Sequence, residues 1–153
     1  MNVEIIEFTE TKVAAVEHRG APEREYESAS KLIVWRKANR VPPDRHQTYG
    51  VHYDDPRTTP PDQYRVDFCV SWDADVPPNP QGVLSKVLPG GRGARVRHHG
   101  SRENVTAALW LYEVWLPHSG EARRDFPLFF HYVNVGPDVT DAEMITDVYL
   151  PLL

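Results

Sequence analysis

The sequence predicts an α+β domain assembled from two copies of a strand–helix–strand–strand unit. Three observations lead there. The chain repeats itself at an offset of 80 residues: Val16, His18 and Gly20 are matched by Val96, His98 and Gly100, and a tryptophan, Trp35 or Trp115, stands fifteen residues after each glycine. Repetition on this scale marks one supersecondary unit used twice. Within each half, segments with period-two alternation flank one segment of helical periodicity. Of the 14 prolines, eight gather at Pro42 and Pro43, between Pro56 and Pro61, and between Pro77 and Pro80. A residue without an N–H punctuates loops there instead of breaking a ladder. The copies span about residues 2–73 and 82–152 of a single domain covering 1–153.

In the first half, residues 2–8 and 12–18 read as strands separated by a turn at 9–11. Pro22 suits a first helical turn, where its missing N–H would be unpaired anyway. Over residues 22–39, Tyr26, Ala29, Leu32, Ile33 and Trp35 fall largely on one helical face. Val41, Pro42 and Pro43 end that helix. Residues 48–53 form a strand and 54–62 a proline-rich loop. In 64–72, Tyr64, Val66, Phe68, Val70 and Trp72 alternate with Arg65, Asp67, Cys69 and Ser71. Arg65 and Asp67, two apart on one face, are spaced to pair. In the second half, 83–88 and 93–99 are strands around a turn at 89–92, and Ser101 is an N-cap residue for the next helix. That helix is expected to run to about Leu116 and stop before Pro117. Residues 128–135 and 145–152 are the closing strands. The helix carries a core stripe of Val105, Ala108, Leu109, Tyr112 and Leu116, yet Trp110, Leu111, Val114 and Trp115 make it apolar nearly all round. Such a helix is covered on more than one side, by a partner subunit, a loop or a ligand.

Apolar residues make up 41% of the chain and charged residues 25%, enough for a packed core. The net charge of −5 lacks the basic excess that phosphate neutralisation demands, so direct DNA binding is not expected. No apolar run approaches the roughly 20 residues of a membrane span, and no secretory leader is visible, so the cytoplasm is the expected compartment. The single cysteine, Cys69, excludes an internal disulfide framework and reads as an inert buried thiol. Seven histidines show neither HxxxH spacing nor a CxxC partner, so no metal and no cofactor is expected. No nucleophile elbow is present, and the Gly90–Gly93 turn lacks the Lys-Ser/Thr of a phosphate loop. The basic run Arg92, Arg95, Arg97, His98, His99 and Arg102 reads as a charge-protected edge strand.

Four segments together resemble the GyrI-like domain, also found as the effector-binding half of some AraC-type and MerR-type regulators. TYGVHYDDPRTTPPDQYRVDFCVSW (48–72) is similar to the family's strand, acidic-Pro loop and Arg-x-Asp strand. LPGGRGARVRHHG (88–100) resembles its Gly-Gly turn and the strand running to His-x-Gly. WLYEVWLPHSGEARRDFPLFFHYVN (110–134) resembles its second helix and following strand, and ITDVYLPL (145–152) its last strand. The resemblance implies two pseudo-twofold-related βαββ (SHS2-type) repeats, an antiparallel sheet backed by two helices, and a central cleft for amphipathic or cationic aromatic compounds. It reaches back to the first residues, so no DNA-binding headpiece is expected ahead of it. The family strand usually reads Phe-Glu-x-Tyr; here Phe129-Phe130-His131-Tyr132 puts Phe130 where the buried, cation-pairing Glu is expected.

A phenylalanine there removes the charge and favours a neutral, flat, apolar ligand, with only about 0.5–2 kcal/mol available to a cation from its ring. The expected ligand-binding set is Phe130, Tyr132, Trp110, Tyr49, Trp72, Tyr112 and Tyr149, whose alternative role is plain core packing. Phe130 and Tyr132 lead it because they share a strand face. Glu113, inside the apolar helix, is either a substitute cleft acid or a solvent contact. The expected function is non-catalytic binding of a hydrophobic or amphipathic small molecule, for sequestration or sensing. The alternatives are a hydrolase of strained, cyclopropane-bearing electrophiles working through Tyr132 and an acid such as Glu113, and a protein–protein inhibitor, as gyrase-inhibitory relatives suggest. A homodimer is compatible with the apolar second helix.

Overall fold

A computed structural model describes the backbone of residues 1–153 and every side chain but that of Asn104. In chain order the elements are β1 (Glu4–Phe8), β2 (Thr11–Arg19), α1 (Glu25–Ala38), β3 (Thr48–His52), β4 (Arg65–Ser71), β5 (Leu84–Leu88), β6 (Gly91–His99), α2 (Ala107–Trp110), α3 (Leu116–Ser119), β7 (Phe129–Tyr132) and β8 (Ile145–Pro151). A π-helical turn, Leu111–Trp115, joins α2 to α3 in one continuous second helix. The eight strands form a fully antiparallel sheet in the order β1-β6-β8-β7-β3-β4-β2-β5.

The offset of 80 residues is carried into three dimensions. β5, β6 and β8 have the bounds of β1, β2 and β4 shifted by 80, and the registers shift with them: Val13 faces Ser71 as Gly93 faces Pro151. The repeated His-x-Gly closes the same turn twice. His18 Nε2 lies 2.9 Å from the Ala21 carbonyl and His98 Nε2 lies 3.0 Å from that of Ser101. Gly20 and Gly100, at φ 131° and 108°, donate to the carbonyls of Tyr64 and Met144. At such φ values glycine alone is unstrained.

Pairing of the leading strands departs from a simple strand–turn–strand reading. β1 does not pair with β2 across their two-residue connection. It crosses to β6 (Glu4 opposite Arg95), and β5 crosses to β2 in the equivalent register (Leu84 opposite Ala15). The sheet curls strongly as a result. The Phe8 ring on edge strand β1 meets Phe129 at 5.0 Å, Tyr149 at 5.5 Å and Tyr49 at 6.1 Å, and Leu88 on the opposite edge joins the same cluster. Both edges therefore bury apolar side chains in one shared core on the sheet face away from the helices. The turns meet there: a Cβ on Gly90 would fall 2.8 Å from the Glu10 amide nitrogen.

On the other face, α1 packs Leu32 and Trp35 over Ala14, Val16, Val70 and Val83, while the second helix packs Ala107 and Leu111 over Ala94, Val96, Val148 and Leu150. The α1 stripe is narrower than its periodicity suggests. Only Ser28, Leu32 and Trp35 are buried, at i, i+4 and i+7, whereas Tyr26 and Ile33 face solvent at 67% and 51% exposure. The second helix also runs past its expected stop. Pro117 falls directly after the π-turn, whose shifted hydrogen-bond register accommodates a residue without an N–H. The helix ends instead at Gly120, with φ 74°. Trp110 and Trp115 are half-buried against the core, and Val114 stays exposed.

β6 is an inner strand, covered by β1, so its arginines do not guard an edge. Arg92 pairs with Glu121, Arg95 with Glu4, and Arg97 makes two contacts with buried Asp147, at 2.8 and 3.0 Å. Nor do Arg65 and Asp67 pair. Arg65 holds Asp54, and the buried Asp67 carboxylate receives Arg19 (3.1 Å), Lys86 (2.8 Å) and the Tyr53 hydroxyl (2.7 Å). Lys86 comes from β5, so this cluster ties a second-half strand to the first-half sheet.

Candidate functional site

A cavity of about 490 Å³ opens where the halves meet, between the start of α1 and the second helix, over β3 and β7. Its floor follows from the β3–β7 register. Gly50 lies opposite Phe130, which places Phe130, Tyr132 and His52 on the helix side of the sheet. The Phe130 and His52 rings pack at 4.3 Å, and Tyr132 meets Phe130 edge-on at 6.2 Å. Glycine at 50 is what admits the Tyr132 ring, because a Cβ there would clash with its hydroxyl. The walls come from Ala108, Leu109 and Tyr112 of the second helix, with Val105 and Leu128 beside them.

Polar groups surround this floor. Arg123 covers the Tyr112 ring at 4.9 Å and Arg102 covers the Tyr132 ring at 5.1 Å. Arg102 also donates to Thr146 Oγ1 and the Ile145 carbonyl, both at 2.8 Å, which fixes it as structural support. Asp54 is held by Arg65 and Asp55 by Arg57; these guanidinium groups keep both carboxyls below their ordinary range. Arg57 reaches on to Glu113 at 3.2 Å, so a first-half loop is linked to the second helix across the mouth. Glu113 itself is 62% exposed in that pair, which makes it a rim contact. Glu25 and Glu103 line the cavity without an ion pair among the described residues.

The floor is protonically quiet. Burial pushes the His52 imidazole down to about 4, so it is neutral at physiological pH, and its Nε2 is enclosed without a hydrogen-bond partner. Burial, with the Glu25 charge second, raises both the Tyr64 and Tyr132 phenols, and burial raises Tyr112. None of these three phenols ionises near neutrality. Among the described residues no His/Cys/Asp/Glu cluster is arranged to hold a metal, and no helix is long and apolar enough to cross a membrane.

The seven aromatic residues singled out in the sequence separate into four places. Phe130 and Tyr112 line the cavity, and Tyr132 supports Phe130 from the side. Trp110 packs into the core under the second helix. Tyr49 and Tyr149 project from the opposite sheet face into the shared edge core, where Tyr149 stacks on Phe129 at 5.0 Å. Trp72 lies under α1, edge-on to Trp35 at 5.5 Å. None of the last four lines the cavity. His131 also faces away, bonded to Gln47 at 2.7 Å. His52, Tyr64, Glu25 and Arg123 line the cavity without having been singled out. Only their pairing across the halves brings them together, and a strand register between distant segments leaves no local signal.

The whole chain, residues 1–153, matches the model of the GyrI-like small molecule binding domain. A probable transcriptional regulator, YgiV of Escherichia coli K12, is 42% identical, with 99% of this chain and 96% of that protein aligned. A DNA gyrase inhibitor of Erwinia billingiae is 28% identical over 99% of this chain and 97% of its own. Among solved structures, the EcmrR C-terminal domain superposes with a TM-score of 0.76 at 16% identity, covering 99% of this chain and 97% of that one. SAV2435 bound to tetraphenylphosphonium superposes with a TM-score of 0.59 at 10% identity, covering 100% and 94%. With an eight-stranded curled sheet, two backing helices and a match from end to end, this chain belongs to the GyrI-like small-molecule-binding domain family.

Proposed function

We propose that the chain is one domain whose repeats, about 2–73 and 82–152, form a non-catalytic binding site for a hydrophobic or amphipathic aromatic small molecule at their junction, acting in the cytoplasm by sequestration or sensing. The observation that carries this reading is the Phe130–His52 floor of the cavity, an aromatic surface with no ionised group of its own. At about 490 Å³ the cavity falls in the roughly 300–1,000 Å³ range of ligand pockets, which hold an apolar body with a few polar groups. Phe130 and Tyr112 are the proposed stacking surfaces and Tyr132 supports them. Trp110, Tyr49, Trp72 and Tyr149 would act only as packing behind the site. The tetraphenylphosphonium bound by SAV2435 is itself a bulky aryl compound, which supports an aromatic guest. Glu25 and Glu103 at the rim give an amphipathic guest a place for a positive or hydrogen-donating group.

The test is thermal unfolding against a panel of neutral and cationic aromatic compounds, for wild type and Phe130→Glu. A ligand at 100 times its dissociation constant adds about 2.7 kcal/mol, or roughly 5–10 °C in Tm for a domain of this size. Neutral aromatics are expected to stabilise the wild type, and Phe130→Glu to move the preference to cations. A wild type stabilised by none of the panel would refute the small-molecule reading in favour of a protein target, the reading that the gyrase inhibitor of Erwinia billingiae suggests.

A further inference from the structure

The geometry points to a second ligand site, for an organic anion with an apolar body, in the groove at the C-terminal end of α1. This groove encloses about 930 Å³ and is separate from the inter-repeat cavity, with which it shares no lining residue. Its apolar surface comes from Ile33, Val41, Pro42, Val135 and Pro137. Every charged residue that lines it is a cation: Arg36, Lys37, Arg40 and Arg45.

That concentration runs against the charge of the whole chain, which carries 17 Lys and Arg against 22 Asp and Glu. Elsewhere most cations are matched: Arg19, Arg24, Arg57, Arg65, Arg92, Arg95 and Arg97 each sit in an ion pair, and of the unpaired ones, Lys31, Arg102, Arg123 and Arg124, none lines this groove. None of the four groove cations has a carboxylate within 4.0 Å among the described residues. Complementing the negative end of α1 accounts for Arg36 and Lys37 in its last turn. It does not account for Arg40 and Arg45, which lie beyond the helix. Arg36 is anchored through the Val41 carbonyl (3.2 Å) and Thr48 Oγ1 (2.9 Å), yet its Nη2 is buried without a partner.

Arg40 is the second observation. It is, among the described residues, the one non-glycine residue with positive φ, at 57°, and occupies the left-handed position after the helix, where glycine is the ordinary choice. Its amide donates to the Lys37 carbonyl and that of Val41 to the Arg36 carbonyl, so the cap itself needs only backbone. A bulky residue kept in a conformation that costs it free energy fits a role for the side chain. A concave, apolar surface under several unpaired cations matches an aryl or alkyl carboxylate, sulfonate or phosphate: the body is buried and the anion is met by forked guanidinium groups.

The experiment titrates the full chain with fluorescent anilinonaphthalene sulfonate and with its uncharged parent, phenylnaphthylamine. The uncharged parent reports the inter-repeat cavity and should bind wild type and groove variants alike, whereas the sulfonate reports the groove. The double variant Arg40→Gly/Arg45→Ser should bind the sulfonate at least about tenfold more weakly while folding normally, since glycine suits the cap. Val135→Trp, which fills the groove without changing charge, should also weaken that binding. Equal sulfonate affinity of wild type and double variant, or of wild type and Val135→Trp, overturns the proposal. Binding of an Asp/Glu-rich peptide with no binding of the sulfonate also overturns it and assigns the groove to an acidic protein segment.

Discussion

Replacing His52 by phenylalanine is expected to remove a specific part of the acid sensitivity of this domain. The His52 ring packs on Phe130 with its Nε2 enclosed and unpartnered, and burial brings the imidazole down to about 4 from an ordinary value of 6.5. The folded state therefore resists a proton that the unfolded chain accepts. Between about pH 6.5 and pH 4 the unfolded state binds more protons, so stability is complete above the upper value and is lost as pH falls toward the lower one. At 1.36 kcal/mol per pH unit the loss reaches about 3 kcal/mol, a ceiling because the ring keeps some solvent contact. The assay is urea unfolding of wild type and His52→Phe at a series of pH values from about 7.5 to about 4. The wild-type curve should fall more steeply, by up to about 3 kcal/mol across the window. His131, which burial also shifts downward, leaves a residual slope in both proteins. Parallel curves would refute the reasoning, because they would mean that His52 takes up its proton as readily in the folded cavity as in water.

Two further substitutions probe the scaffold. Phe129→Ala removes a ring that is 1% exposed and packed against Tyr149, Phe8, Tyr49 and Phe126, so it should cost about 3–5 kcal/mol in urea unfolding. Any ligand shift of the inter-repeat cavity should survive it, because Phe129 lies on the opposite sheet face. Asp67→Ala leaves Tyr53 without its partner and Lys86 with Glu17 alone, and should cost about 3 kcal/mol, the lower end of the range for breaking a buried pair, since Lys86 keeps one carboxylate and Arg19 can rehydrate. Adding Lys86→Met should recover part of that loss, and a double variant no more stable than Asp67→Ala would count against the pair as the cause.

The sequence by itself determined the repeat, the kinds of element and their order, and through four segments the family. These are local properties. A His-x-Gly turn, a proline-bounded loop or an alternating strand such as residues 64–72 needs only its own residues to declare itself. Phe130 belongs in part to this class, because its departure from the family strand and its shared face with Tyr132 are both readable along the chain.

Only the tertiary structure decided which residues meet. Period-two alternation identifies a face without saying what that face meets, and the curl of the sheet gives both faces a core. Tyr49 and Tyr149 therefore pack as well on the side away from the helices as Phe130 does on the near side. The exchange of β1 and β5 between the halves turned a run of arginines from an expected edge into an inner strand with acidic partners. The π-turn carried the second helix past Pro117 by a change of hydrogen-bond register. His52, Glu25 and Arg123 are separated by tens of residues, and they converge on one cavity only because β3 pairs with β7 at Gly50 and Phe130. Such pairing is a long-range choice, selected by the burial of the whole sheet and not by the residues on either side of the contact.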